Sequence, residues 1–327
     1  MSTLKPEIIE ILNFRQLAEI TMFPPLHNNT DAIFKILQRI KKGNYIDTLT
    51  YMSNFNIYAK QKNLTTLMNT EVKYSLLDSI LRQLSSDFSW FTKITWKNWF
   101  QNQLVLLLPN VNQTLLNYLP TAIDCDSFQA LVKGMDNIYE KLSDTSKEDV
   151  YNYLKKYGQA NSSGLLCDAQ NSTLWVINNL GRYISLATYE ELVNLNRNFN
   201  GFEVLDFLNI QQIAEMTVFT QLHNVSANMS LIFTKLKESP SKDLERYILL
   251  FNNFAQQRGL ITLKNATVRD AMLGAILNLL SPELIYFNYS DWKEWFQSRL
   301  TLFLPSMNKT FLKLLPFNIT CEAYQSM

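Results

Sequence analysis

Slid along itself by 196 residues, this sequence pairs with itself. Residues 5–131 align with 201–327 without a gap, and about 47 of the 127 pairs are identical. Trp96 to Gln129 reads WKNWFQNQLVLLLPNVNQTLLNYLPTAIDCDSFQ; Trp292 to Gln325 reads WKEWFQSRLTLFLPSMNKTFLKLLPFNITCEAYQ. Glu19, Thr21, Phe23, Leu26, His27 and Asn28 fall on Glu215, Thr217, Phe219, Leu222, His223 and Asn224. Self-similarity at a fixed period marks a tandem array, whose units bury their apolar faces against one another. The expectation is a first unit at 1–200 and a second at 201–327. The second copy reads as incomplete, because nothing pairs with 132–200. A repeat already running at Lys5 and stopping at Met327 reads as a segment of a longer protein. The alternative is a natural chain with a short last copy as its cap.

The apolar spacing inside a copy is helical. Phe128, Leu131, Val132, Met135, Ile138, Tyr139 and Leu142 form one stripe, and so do Val72, Leu76, Leu77, Ile80, Leu81 and Leu84. The second copy keeps that latter face as Val268, Met272, Leu273, Ile276, Leu277 and Leu280 while outward residues change. Glycine is scarce at 8 residues and proline at 9, which disfavours an all-β chain of tight turns. SKED at 146–149 and TYEE at 188–191 look like helix starts closed by a capping box. Pro109 and Pro120 stand between apolar runs, ending one helix or opening the next. Roughly nine or ten short helices per copy follow. The expected fold is all-α, a superhelical array, or solenoid, of short helices built from two tandem repeats.

Asn-x-Ser/Thr occurs at Asn28, Asn63, Asn112, Asn161, Asn171, Asn224, Asn228, Asn265, Asn288, Asn308 and Asn318. Chance in a chain this rich in Asn gives about four or five. Asn also favours helix caps and turns, which inflates the chance count. The excess points to a secreted or cell-surface protein. The paired sequons Asn28/Asn224 and Asn112/Asn308 are expected at exposed loops or helix starts. Cys125 and Cys167 fall within one copy and Cys321 repeats Cys125, so one disulfide per repeat accounts for three cysteines. Closing that loop of about 43 residues stabilises by about 4 kcal/mol in the chain-entropy model. Three small buried thiols are the alternative.

Most chemistry is missing. The two histidines, His27 and His223, are one repeat position, which suits a capping role better than a metal site. No P-loop, G-x-G-x-x-G or G-x-S-x-G occurs. A net charge of +1, with no run of like charge, does not suit nucleic acid. No apolar run reaches the roughly 18 residues of a spanning helix. The opening MSTLKPEIIEILNFRQ carries Lys5, Glu7, Glu10 and Arg15 where a signal peptide would be apolar. Trp96, Trp99, Trp292 and Trp295 could anchor a partner or stack on sugars, but Trp96, Phe100 and Leu104 share a helical face that suits a core.

LLLPNVNQTLLNYLP and SLATYEELVNL at 185–195, with sparse cysteine and dense sequons, resemble the mesothelin, otoancorin and stereocilin group. CDSFQALVKGMDNIYEKL is also similar to repeats in uncharacterised secreted fish proteins. The resemblance implies a glycosylated superhelix of short helices, adhesion or matrix attachment without catalysis, and tethering to the outer membrane face. It supplies no catalytic, cofactor or metal positions. The leading expectation is a non-enzymatic extracellular adhesive or ligand-presenting module whose partner is a protein or glycoprotein, with no cofactor. The rivals are an intracellular armadillo- or HEAT-like scaffold and an enzyme with a cleft between copies.

Overall fold

The computed structural model describes residues 6–22, 30–65, 67, 69–160, 167, 171–239, 241–317 and 319–326. The described residues form helices joined by turns and short loops, with no strand among them. Two compact units emerge. Met1–Leu186 with Leu195–Phe199 forms the first, and Ala187–Asn194 with Asn200–Met327 the second. The boundary therefore differs from the expected break at 200/201, because 187–194 belongs with the second unit. The physical reason is polar as well as apolar. The Glu215 carboxylate accepts the backbone N–H groups of Tyr189 at 2.8 Å and Glu190 at 3.3 Å, and Gln212 donates to the Ala187 carbonyl at 2.8 Å. Tyr189 also meets Phe219 edge to face.

In the first unit α1 (Pro6–Ile11), α2 (Phe14–Thr21), α3 (Thr30–Lys41), α4 (Tyr45–Gln61) and α5 (Thr70–Leu84) come first. After them come α6 (Lys93–Asn98), α7 (Gln113–Leu116), α8 (Cys125–Asn137), α9 (Asp144–Ala160) and α10 (Ser172–Asn179). Helix α2 packs on α4, α3 on α5, and α6 on α8. The second unit opens with most of α11 (Tyr189–Leu195), then α12 (Ile210–Phe219), α13 (Ser226–Lys237), α14 (Ser241–Gln257) and α15 (Ala266–Leu280). It closes with α16 (Tyr289–Glu294), α17 (Lys309–Leu312) and α18 (Cys321–Ser326). Here α12 packs on α14 and α13 on α15.

One expected stripe forms as a single helix face; the other is split, because α8 ends at Asn137, a 3-10 turn spans Tyr139–Lys141, and Tyr139 is only half-buried while Phe128, Leu131, Val132, Met135, Ile138 and Leu142 are buried. All six of Val72, Leu76, Leu77, Ile80, Leu81 and Leu84 are buried, as are their six counterparts in α15. Some deeply buried polar groups are paired, although Trp96 Nε1, Ser127 Oγ, Asn252 Oδ1 and the Nε atoms of Arg39 and Arg299 are buried without a hydrogen-bond partner. The Tyr51 hydroxyl lies 3.0 Å from Thr21 Oγ1, which donates to the Leu17 carbonyl. Tyr247, Thr217 and Ile213 repeat that arrangement in the second unit, with 3.1 Å between hydroxyls. A lone hydroxyl at such depth would be costly, and the pair satisfies both.

Asparagine starts the helices. Asn13, Asn44, Asn69, Asn112, Asn171, Asn209, Asn265, Asn288 and Asn308 all accept a backbone N–H from the first turn. This satisfies one of the orphan donors at each helix start. The capping box at TYEE is present: Thr188 Oγ1 accepts from Glu191 N–H and Glu191 accepts from Thr188 N–H. The one placed at SKED is corrected. Helix α9 begins three residues earlier, and Ser143, not Ser146, accepts the N–H of Ser146. Ser146 instead turns inward and donates to the Val111 carbonyl at 2.8 Å.

Candidate binding grooves

The WKxWF stretch contains the most unusual backbone in each unit. Trp96, Trp99, Phe100 and Leu104 are all fully buried, so this part of the chain must present aromatic bulk on a broad face. It does so by widening. Leu104 N–H bonds to the Trp99 carbonyl five residues back, at 2.9 Å, making Trp99–Gln103 a π turn. Leu300 and Trp295 do the same at 2.8 Å. A π turn upsets the regular α ladder and often sits at functional places. Here a neighbouring amide takes up a carbonyl: Asn56 of α4 donates to Gln103 O at 2.9 Å, and Asn252 of α14 to Arg299 O at 2.8 Å. The tryptophans are thus core. Trp96 lies between Phe88 and Phe100, with centroids 4.9 and 5.4 Å away.

Helix α4 ends beside this turn in a left-handed residue. Asn63 has φ 53°, and Gly259 has φ 68° at the end of α14. Leu64 N–H returns to the Ala59 carbonyl, and Leu260 N–H to Ala255, the double closure that left-handed caps provide. Glycine adopts that backbone freely and asparagine tolerates it.

Between the cap and the π turn each unit holds an open groove. The first, of about 390 Å³, is lined by Asn56, Lys60, Asn63, Thr65, Asn102, Val105 and Leu106. The second, of about 410 Å³, is lined by Asn252, Gln256, Gly259, Ile261, Ser298, Thr301 and Leu302. With Leu64 and Leu260, which also line them, these are the same eight positions in register. Amides, hydroxyls, aliphatic carbons and one cation apiece, Lys60 in the first and Arg299 in the second, line the grooves, and no carboxylate, imidazole or thiol lines either. Such a surface can hydrogen-bond and bury apolar groups.

The grooves differ at one wall. Gln103 in the first unit corresponds to Arg299 in the second, which also lines its groove. Arg299 is nearly buried; its Nη2 meets Glu245 at 2.7 Å and Glu294 at 2.5 Å, and its guanidinium lies over Trp295. The counterparts of those two acids are Leu49 and Asn98. A cation and two anions have replaced three uncharged residues together, which keeps the semi-buried charge compensated.

Of the other sequence-derived positions, Cys125 and Cys167 are joined as a disulfide, with Cα atoms 5.4 Å apart. Cys321 is free and exposed. His223 is buried with Nδ1 3.1 Å from the Thr217 carbonyl, which fits the capping role. His27 lies outside the described residues, as do the sequons at Asn28, Asn161 and Asn318. Asn63, Asn171, Asn224, Asn265, Asn288 and Asn308 are exposed, while Asn112 and Asn228 are half-buried. At the caps among them Oδ1 takes the backbone proton, while Nδ2, the atom that carries an N-glycan, donates to the Asn224 carbonyl at Asn265 and to the Ser306 carbonyl at Asn308. Among the described residues no cluster of three His, Cys, Asp or Glu could hold a metal. No helix there is long and apolar enough to cross a membrane. The grooves and π turns are not evident from the sequence; of the shared lining positions only Asn56/Asn252, Leu64/Leu260 and Leu106/Leu302 are identical, no more than the repeat as a whole. The chain matches no protein-family model, no curated protein and no solved structure.

Proposed function

We propose that this chain is a tandem helical-repeat module, stacked as a solenoid, which works outside the cell by presenting binding surface rather than by catalysis. The carrying observation is the recurrence of one groove, at eight equivalent positions, with a lining that offers hydrogen bonds and apolar contact and holds no carboxylate, imidazole or thiol. The partner class is a protein or glycoprotein, whose backbone and sugar hydroxyls suit amide-lined walls. The Cys125–Cys167 disulfide supports an oxidising compartment. The sequons support it less, since five of their asparagines have a structural reason to be there as helix caps.

Expression behind a heterologous secretory signal tests the reading. Exposed sequons are expected to be filled, so glycosidase treatment should raise mobility by several glycans, and mass should show one disulfide and one free thiol. Secretion failure with an intact, reduced, sugar-free chain in the cytoplasm would favour the intracellular scaffold.

A further inference from the structure

One face of the second unit has a covered counterpart in the first. In the first unit α9 lies over the stretch from α7 to α8. The Tyr153 hydroxyl donates to the Pro120 carbonyl at 2.8 Å, and the Tyr157 hydroxyl to Ile123 at 2.7 Å. The Tyr157 ring stacks on Phe128 with centroids 3.7 Å apart, and Cys167 closes the disulfide to Cys125. Under this cover Leu116 is 2% and Phe128 0% exposed.

The second unit keeps the receiving residues. Pro316, Ile319, Cys321 and Tyr324 stand at the places of Pro120, Ile123, Cys125 and Phe128. Among the described residues nothing stands where α9 does in the first unit: Leu312 is 51% and Tyr324 71% exposed, Phe317 and Cys321 are exposed, and Pro316 and Ile319 are half-buried. Together with Leu315 they line an apolar depression of about 510 Å³.

We infer that this face is a docking site for a segment of the α9 kind, a helix like Asp144–Ala160 carrying two tyrosines one turn apart and followed in sequence by a cysteine. The tyrosine rings cover Tyr324 and Leu312, their hydroxyls take the carbonyls of Pro316 and Ile319, and the cysteine meets Cys321. This rests on the tandem-repeat part of the proposed function and not on its extracellular part.

The test uses the full chain and a peptide of residues 143–172, its Cys167 held as a mixed disulfide with glutathione. The Cys321 thiolate attacks the peptide sulfur, a new disulfide forms, and glutathione leaves as thiolate, so no further oxidant is needed. Glutathione release and adduct mass are followed. A peptide with Tyr153→Ala and Tyr157→Ala is expected to exchange about tenfold more slowly, the factor that about 1.4 kcal/mol of lost docking gives. Tyr324→Asp and Leu312→Asp in the chain, both at exposed sites, should slow the natural peptide equally, and Cys321→Ser should abolish the adduct. Equal rates for both peptides would show Cys321 reacting as an ordinary surface thiol and overturn the inference. The repeat reading has its own test in the Arg299 substitutions below, so the two can fail separately.

Discussion

At Asn308 one side chain serves two readings, and substitution separates them. Its Oδ1 accepts from Thr310 and Phe311 at the start of α17. Asn308→Asp keeps the cap and removes the sequon, so stability is expected to hold while one glycan disappears. Asn308→Ala removes both and is expected to cost about 1 kcal/mol in denaturant unfolding. The asparagine excess is legible in the sequence, but the capping role of Asn112, Asn171, Asn265, Asn288 and Asn308 is not, because a cap and a sequon are the same letters until a helix start is located. Buried tyrosines make a second residue-scale prediction. Burial pushes Tyr157 and Tyr189 up to about 12, and raises Tyr51, Tyr153, Tyr183 and Tyr247 as well. The folded chain thus holds protons that the unfolded chain gives up near pH 10. The resulting stability is whole below about pH 10 and is lost as pH rises through the folded values. Tyrosinate absorbance should therefore appear in two steps, exposed rings first and the buried ones together with loss of helical circular dichroism. A single smooth titration with helix intact would contradict the burial.

Elements were the most legible scale. A stripe of six apolar residues in α5, kept in α15 while its surroundings changed, needs a helix with one sheltered face, and that is what forms. The π turns were not legible, because hydrogen-bond registers of four and five residues share one apolar pattern over a single turn. Gly134 shows how closely α8 approaches the first of them. A Cβ there would stand 2.8 Å from the Phe100 carbonyl oxygen and 2.7 Å from its Cβ. Gly134→Ala is expected to destabilise by about 1–3 kcal/mol, through overpacking that helix propensity alone would reverse in sign. Thermal or denaturant unfolding reads the outcome, and a stabilised variant would mean that α8 stands off the π turn.

On the scale of the whole molecule, the sequence of 5–131 recurs at 201–327, and the proposed function takes the two as one helical unit. The division at 187–194 shows what the repeat period could not: the period fixes a spacing, but contacts such as Glu215 with Tyr189 decide which segment belongs to which unit. The Arg299 cluster tests the claim most directly, since it exists in one copy only. The measurement is a denaturant-unfolding cycle on Arg299→Gln alone and on Arg299→Gln with Glu245→Leu and Glu294→Asn, which writes the first unit's residues into the second. The single change should cost about 1 kcal/mol, by removing the cation between two half-exposed acids. The triple change should return to within about 0.5 kcal/mol of the starting stability, because the three residues already fit that environment around Gln103. A triple variant no more stable than the single one would contradict the equivalence of the two units.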